Sequence, residues 1–281
     1  MIPRLFAFDL DGTLLDSRKR ISAANIAAIR DMAASGAAVA LASGRLGAGV
    51  RRYVPELGID PALVTLNGAE VFTGSGEGAE RVYYAPLAPE RAEYLTRYGV
   101  ERPVAVNFYW QDRLYTVKTD GNVRWTELYH QQTGVDYNFL DDFAAMEGVS
   151  PSKIIFVGDP AHIDVEEARF RALWDDGSVY VCRSWDHYLE FMDPKANKGL
   201  GLAAVCAALG VGLSEAAAYG DAENDMPMLS AAGFGAAMKN APDRIKRCAA
   251  RVTELTNEED WVAREWERIK TLDLLKSNNN K

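Results

Sequence analysis

At 281 residues, 48% of them hydrophobic, the chain has material for one large or two modest domains with a full core. Its formal net charge of −9 excludes the non-specific nucleic-acid binding that relies on Lys and Arg neutralising phosphates. No apolar run reaches the length of a membrane span, so neither nucleic acid nor membrane is an expected partner.

The chain opens on a strand signal rather than on a secretory leader. Leu5-Phe6-Ala7-Phe8 delivers Asp9, and Leu10-Asp11-Gly12-Thr13 follows. On an extended backbone Asp9 and Asp11 share a face, and two crowded carboxylates need a cation or a shared proton. Gly12 lets the chain turn sharply away. The pattern suits a Mg²⁺ site with a nucleophilic carboxylate, completed by a phosphorylated substrate. Asp-x-Asp-Gly is also an ordinary turn after a strand, so the rest of the chain decides between the two.

Ser22 to Ala34 has helical periodicity, with Ser22 as N-cap and Gly36 as the stop. Ala37 to Ala42 reads as a second buried strand. Ser43-Gly44-Arg45 comes directly after it. The Ser43 hydroxyl and neighbouring N–H groups can donate to phosphate oxygens, and Ser43 equally reads as a helix N-cap. A helix around Gly49 to Leu57, ended by Gly58, precedes a third strand from Ala62 to Leu66. This alternation predicts a parallel sheet with helices on both faces and ligands at the carboxyl ends of its strands.

From Tyr83 to Glu190 the order changes to helix, two strands, helix, then strand, helix, two strands. Val104 to Phe108 and Leu114 to Val117 flank Gln111-Asp112-Arg113 as a hairpin. Asn122 to Thr133 reads as helix, Ile154 to Val157 as strand and Ala161 to Trp174 as helix. Val179 to Cys182 and Tyr188 to Met192 close the series, which predicts an α+β module inserted into the parallel-sheet domain.

The α/β pattern resumes with a helix from Lys198 to Leu209. A cation is unfavourable at a helix N-terminus, so Lys198 reads as held there for an anion. Lys195 is the competing lysine, and Gly199 favours Lys198 by allowing close approach of a ligand. The strand Ala216 to Tyr219 ends in Gly220-Asp221-Ala222-Glu223-Asn224-Asp225. On a helical turn Asp221 and Asp225 face the same way. Asp9, Asp221 and the main-chain carbonyl of Asp11 offer the oxygen ligands that Mg²⁺ demands. Met226 to Ala232 reads as helix, Phe234 to Ala237 as strand and Glu258 to Leu275 as a C-terminal helix. Cys182, Cys206 and Cys248 are odd in number and widely spaced, which speaks against a disulfide framework or zinc cluster and fits a cytoplasmic protein. His130, His162 and His187 form no metal-ligand spacing.

Together, Asp9-Leu10-Asp11-Gly12-Thr13, Ser43-Gly44-Arg45, Lys198-Gly199 and Gly220-Asp221 with Asn224-Asp225 resemble the four motifs of the haloacid-dehalogenase-like (HAD) phosphatase superfamily. The insert between the Ser and Lys motifs, Asn67-Gly68-Ala69 and Lys153-Ile154-Ile155-Phe156 are similar to its Cof-type subfamily with a type 2 subtype B cap. The resemblance implies a Rossmann-like α/β core at 1–82 and 191–276, an inserted α+β cap at 83–190 and a disordered tail at 277–281. It implies a Mg²⁺-dependent phosphatase, monomer or homodimer, for a small phosphorylated metabolite: a sugar phosphate, or a cofactor such as pyridoxal phosphate or flavin mononucleotide. Asp9 would be the nucleophile, Asp11 the general acid and then base, with its carbonyl on Mg²⁺. Ser43 and Lys198 would bind the transferring group, aided by Gly44 and Arg45. Asp221 would hold the metal, with Asp225 supporting it directly or through water, Asn224 would contact phosphate or position Lys198, and Thr13 and Asn67 would orient the site. Asn107, Tyr109, Trp110, Lys118 and Arg183 are the cap residues expected to meet the leaving group. A phosphomutase of the same superfamily and a non-catalytic phospholigand-binding protein are the competing readings.

Overall fold

The structure, a computed structural model, describes residues 2–279. It divides into two compact units: the segments up to Tyr84 and from Asn197 onward form one, and Ala85–Ala196 the other. Among the described residues no helix is long and apolar enough to cross a membrane.

The first segment runs β1 (Leu5–Asp9), α1 (Ala23–Ala34), β2 (Ala38–Ala42), α2 (Gly47–Arg51), α3 (Val54–Leu57), β3 (Ala62–Thr65), β4 (Glu70–Phe72) and β5 (Arg81–Tyr84). Ser22 caps α1 by accepting from the Asn25 N–H. The helix expected over Gly49 to Leu57 is two short ones, because Pro55 has no N–H to continue a ladder and tolerates only the first turn of α3. Gly58 ends α3 in the left-handed region. The short strands β4 and β5 carried no periodic signal, and they place the first unit boundary after Tyr84 rather than at 82.

The insert runs α4 (Pro89–Val100), β6 (Ala105–Trp110), β7 (Arg113–Val117), α5 (Val123–Thr133), β8 (Tyr137–Leu140), β9 (Lys153–Val157), α6 (Pro160–Leu173), β10 (Tyr180–Trp185) and β11 (Tyr188–Met192). Its sheet has the order β10-β11-β9-β6-β7-β8, with β8 an unexpected edge strand lying parallel to β7. β11 pairs with β10 along its whole length and with β9 from Tyr188 to Phe191, so the second boundary falls after Ala196 rather than at 190. One face of this sheet buries Phe108, Phe156, Phe170 and Phe191 with Trp174.

The chain returns through α7 (Lys198–Leu209), β12 (Ala216–Gly220), α8 (Met226–Ala231), β13 (Phe234–Ala237), α9 (Asp243–Lys246), β14 (Arg251–Val252) and α10 (Trp261–Asn279). Residues 277–279, expected as tail, continue α10; 280 and 281 lie outside the described residues. The large sheet has the order β14-β13-β12-β1-β2-β3-β4-β5, and every pair from β14 to β3 is parallel. Sequence order therefore reverses at β1, the kind of switch point that opens a crevice beyond the carboxyl ends of the strands. Period-2 alternation sends Phe6 and Phe8 onto Trp266 and Trp261 of α10, and Leu5, Ala7 and Asp9 the other way.

Candidate active site

Asp9 is the last residue of β1, and Lys198 is the first of α7. Lys198 Nζ donates to Asp9 Oδ1 and to Asp225 Oδ1, each at 2.6 Å, and the lysine is fully buried. Asn197 caps α7 by accepting from the Leu200 N–H, which leaves the lysine free to turn inward. Asp225 ends a short 3₁₀ turn and folds back on its own loop. Its second oxygen accepts from the N–H groups of Asp221 and Ala222, both at 2.9 Å, so both of its oxygens are occupied. Asp221 in turn accepts from Thr13 Oγ1 at 3.1 Å. Thr13 is itself held by the Trp261 indole N–H on its carbonyl. Gly12 has φ +82°, and a Cβ there would run into the Asp221 carboxylate, so glycine is required twice over.

Ser43, Gly44 and Arg45 leave β2 beside Asp9, and their loop is tied to the one after β3. The Asn67 N–H bonds the Ser43 carbonyl, and the Leu66 N–H bonds the Arg45 carbonyl, each at 3.0 Å. Leu66 and Asn67 both take positive φ to make this junction, an unusual conformation that clusters at functional sites. Ser43 Oγ accepts from the Arg45 N–H, so it closes this turn; the N-cap of α2 is Leu46. Asn224 reaches Asn67 rather than Lys198, donating to its side-chain oxygen at 2.9 Å. Asn67, Ser43, Asp9 and Asp225 are all buried.

Asp11 is not part of the buried group. Its carboxylate is gripped by Arg45 through Nε and NH2, both at 2.6 Å, and by Lys19 Nζ at 2.6 Å. One further expectation, for Gly199, is corrected. Gly199 faces the backbone of Pro227, where a Cβ would sit 2.6 Å from the carbonyl, so it serves helix packing rather than a ligand. Lys195 lies exposed in the other unit. In the cap, Asn107 and Tyr109 are buried and bonded to Tyr137 and Tyr129, while Arg183 pairs with Asp164 and Glu167 on α6.

A family model of the haloacid dehalogenase-like hydrolases matches residues 6–265. The chain belongs to that family. This hydrolase is 30% identical over 243 residues to the HMP-PP phosphatase of Cronobacter sakazakii, covering 86% of each chain. It is 30% identical over 275 residues to the 5-amino-6-(5-phospho-D-ribitylamino)uracil phosphatase YitU of Bacillus subtilis, covering 93% of this chain and 96% of that one. A haloacid dehalogenase-like hydrolase from Bacteroides thetaiotaomicron superposes with a TM-score of 0.84 at 28% identity, over 95% of this chain and 99% of its own.

The electrostatics of the hydrolase separate its two aspartates. Burial, then the neighbouring Asp225 carboxylate, pushes Asp9 well above the usual carboxylate range, against the pull of Lys198. Burial and Asp225 likewise raise Asp221 to about 6. Burial works against the charge on Lys198, yet Asp225 and Asp9 outweigh it and hold the ammonium protonated. Asp11 goes the other way: burial raises it, but the Arg45 fork and then Lys19 hold it below the ordinary value. Asp9, Asp221 and Asp225 place carboxylate oxygens within 4.8 Å of one another, and Asp9 Oδ2 is buried with no hydrogen-bond partner among the described residues. One lysine among three carboxylates leaves a negative excess, and an orphaned buried oxygen at its centre is what a hard divalent cation would satisfy. Sequence reasoning missed two supports, Lys19 on Asp11 and Asn240, whose side-chain amide donates to the Gly12 carbonyl at 2.8 Å. The first could have been suspected from Arg18-Lys19-Arg20, three consecutive cations in an acidic chain.

Proposed function

We propose that the protein is a Mg²⁺-dependent phosphatase that hydrolyses small phosphomonoesters, sugar phosphates or phosphorylated cofactors, through an aspartyl-phosphate on Asp9. The observation that carries the reading is the pairing of Asp9 Oδ1 to a fully buried Lys198 while Asp9 Oδ2 is left without a partner. Mg²⁺ would be held by Asp9, the Asp11 carbonyl and Asp221, and when bound it neutralises charge on the phosphoryl oxygens. Asp225 would support that set by fixing the Asp221 loop and Lys198. Relatives whose names specify phosphorylated compounds support a small-molecule substrate.

The Asp9 carboxylate attacks phosphorus as the bond to the leaving oxygen breaks, and Asp11 gives that oxygen its proton. Lys198 keeps Asp9 oriented and offsets charge on the transferring group, while Ser43 and the N–H groups of its loop bind the equatorial oxygens. Water then attacks phosphorus of the acyl phosphate, Asp11 takes its proton, and inorganic phosphate departs with Asp9 restored. The Arg45 and Lys19 contacts favour the carboxylate form of Asp11 that this second step needs. A dianionic phosphoryl group competes for Arg45, which eases protonation of Asp11 for the first step.

The test is release of inorganic phosphate from a panel of phosphomonoesters, with Mg²⁺ or EDTA, by the wild type and Asp9→Asn. Turnover that needs both Mg²⁺ and Asp9 is expected. Wild-type turnover in a folded Asp9→Asn protein would overturn the mechanism, and no release from any member would overturn the phosphatase.

A further inference from the structure

Beyond the transferring phosphoryl group, the surroundings of Asp11 carry information about the rest of the substrate. The open side of the Asp11 carboxylate is built from two cations. Arg45 spans both carboxylate oxygens, and Lys19 Nζ takes Oδ1 from the solvent side, with side-chain exposures of 24% and 56%. Two positive charges therefore face one negative charge, in a chain whose net charge is −9.

The loop that presents Lys19 is held by several bonds. Asp16 Oδ1 accepts from the N–H groups of Arg18 and Arg20, at 2.9 and 2.8 Å, and Oδ2 takes the Arg20 guanidinium. The Lys19 N–H bonds the Asp16 carbonyl, and Ser17 is fastened to Glu258 through both its N–H and its hydroxyl. At the tip Lys19 takes φ +59°, a conformation that residues with a Cβ avoid. An exposed ion pair contributes little to stability, so the Lys19 contact does not account for this geometry as a stabilising device. Strained positions held by many bonds are a mark of functional sites. Arg20 is spent on Asp16, which leaves Lys19 as the cation delivered to the site.

We propose that Lys19, with Arg45, is a specificity determinant for substrates whose leaving group carries a second anion, a carboxylate or another phosphate, close to the scissile ester. The inference rests on the phosphatase reading in one respect: Asp11 meets the leaving oxygen, so cations around Asp11 lie on the leaving-group side. The excess positive charge there has no use for a neutral alcohol and matches an anionic one. Partial exposure makes the contribution dependent on salt.

The experiment compares 3-phosphoglycerate with glycerol 3-phosphate, which differ only in a carboxylate against a hydroxymethyl group. The ratio of their kcat/KM values is measured for the wild type, Lys19→Ala and Lys19→Arg, at low and high ionic strength. Calorimetric binding of the same two ligands to each protein with Asp9→Asn added is run in parallel. The expected wild-type ratio is about tenfold or more in favour of 3-phosphoglycerate, as a charge-assisted contact supplies. Lys19→Ala brings it towards one, Lys19→Arg keeps it, and high salt reduces it. A wild-type ratio near one, or a preference that survives Lys19→Ala, overturns the inference. If neither ester is hydrolysed in an Asp9-dependent way, the phosphatase reading loses support separately. The Lys19-dependent difference in binding then decides the specificity claim by itself, and equal binding of the two ligands overturns it.

Discussion

Asp9 and Asp11 are two residues apart, and each meets a lysine at 2.6 Å, yet the two pairs have little in common. The Lys198–Asp9 pair is sealed, with side-chain exposures of 0% and 7%, and the Lys19–Asp11 pair is open, at 56% and 39%. In the sealed pair the low dielectric makes each charge depend on its partner, and a second and third carboxylate, Asp221 and Asp225, overload the single lysine. In the open pair water and salt do most of the solvation, so the ions are available for exchange with a ligand. The same elements of chemistry thus give a sealed, acid-rich centre at Asp9 and an exchangeable polar rim at Asp11.

Removing the cation from the sealed side has the largest expected effect. Lys198→Met leaves Asp9 and Asp225 buried without a counter-charge, which destabilises the metal-free protein by about 3–5 kcal/mol and abolishes phosphate release. Urea unfolding in EDTA measures the first and the phosphate assay the second. If the melt barely moves, the two sides are less different than their burial indicates.

Asp221→Asn acts in the opposite sense on stability. The folded pKa of Asp221 lies at about 6, above its ordinary 3.8. As pH rises through that window the unfolded chain releases a proton that the folded chain retains, so the metal-free wild type loses stability. The amide carries no such penalty. In EDTA the variant is expected to gain on the wild type between pH 4 and 6, by about 1–3 kcal/mol, and to hold that gain above the window. With Mg²⁺ present the order reverses, because binding to the native state stabilises the wild type and the variant has lost a ligand. Thermal melts across pH, with and without Mg²⁺, give both signs. An advantage that does not depend on pH would mean that Asp221 titrates normally.

Much of this site could be read in the sequence because each functional side chain falls at an element boundary that the sequence announces. Phe6 to Phe8 marks a buried strand, so Asp9 must stand at its end; Ala216 to Tyr219 does the same for Gly220 and Asp221. Lys198 was legible as a cation where a helix start disfavours one. What escaped depends on contacts between distant segments or on weak local signals. Whether Arg45 binds phosphate or grips Asp11 is decided by a side-chain direction across two loops, which no periodicity encodes. That the Asp225 carboxylate also bonds its own turn and Lys198 is likewise a matter of side-chain direction that spacing does not give. The strand β8 was missed because Tyr137 to Leu140 forms an edge with only one partner and little burial. The glycine beside Lys198 was given a ligand to approach when Pro227 already fills that space.

Thr13→Val sharpens the sealed side further. It removes the hydroxyl that donates to Asp221 Oδ1 but keeps the shape of the side chain, and Thr13 is fully buried. The expected cost is about 1 kcal/mol with Mg²⁺ bound, together with weaker Mg²⁺ binding. In EDTA the cost is partly offset, since Asp221 is readier to take a proton once that donor is gone, and it then repels its neighbours less. A loss that is equal in Mg²⁺ and EDTA would make Thr13 a packing residue and nothing more.

The smallest effect on stability is expected on the open side, and it is the one that separates the two halves of the comparison. Arg45→Lys keeps the charge but replaces a planar fork, which bonds Asp11 through Nε and NH2, with a single ammonium. Because the pair is partly solvated, the change in unfolding free energy should stay below about 1 kcal/mol. Turnover responds more strongly, because a point charge cannot hold the carboxylate in one orientation against a leaving oxygen. A fall in kcat of about tenfold with a smaller change in KM is expected, as for an interaction made mainly in the transition state. The reverse split, a raised KM with kcat intact, would assign Arg45 to holding substrate rather than to orienting Asp11. Loss of stability on the scale of Lys198→Met would mean that the rim is as much a part of the fold as the centre it borders.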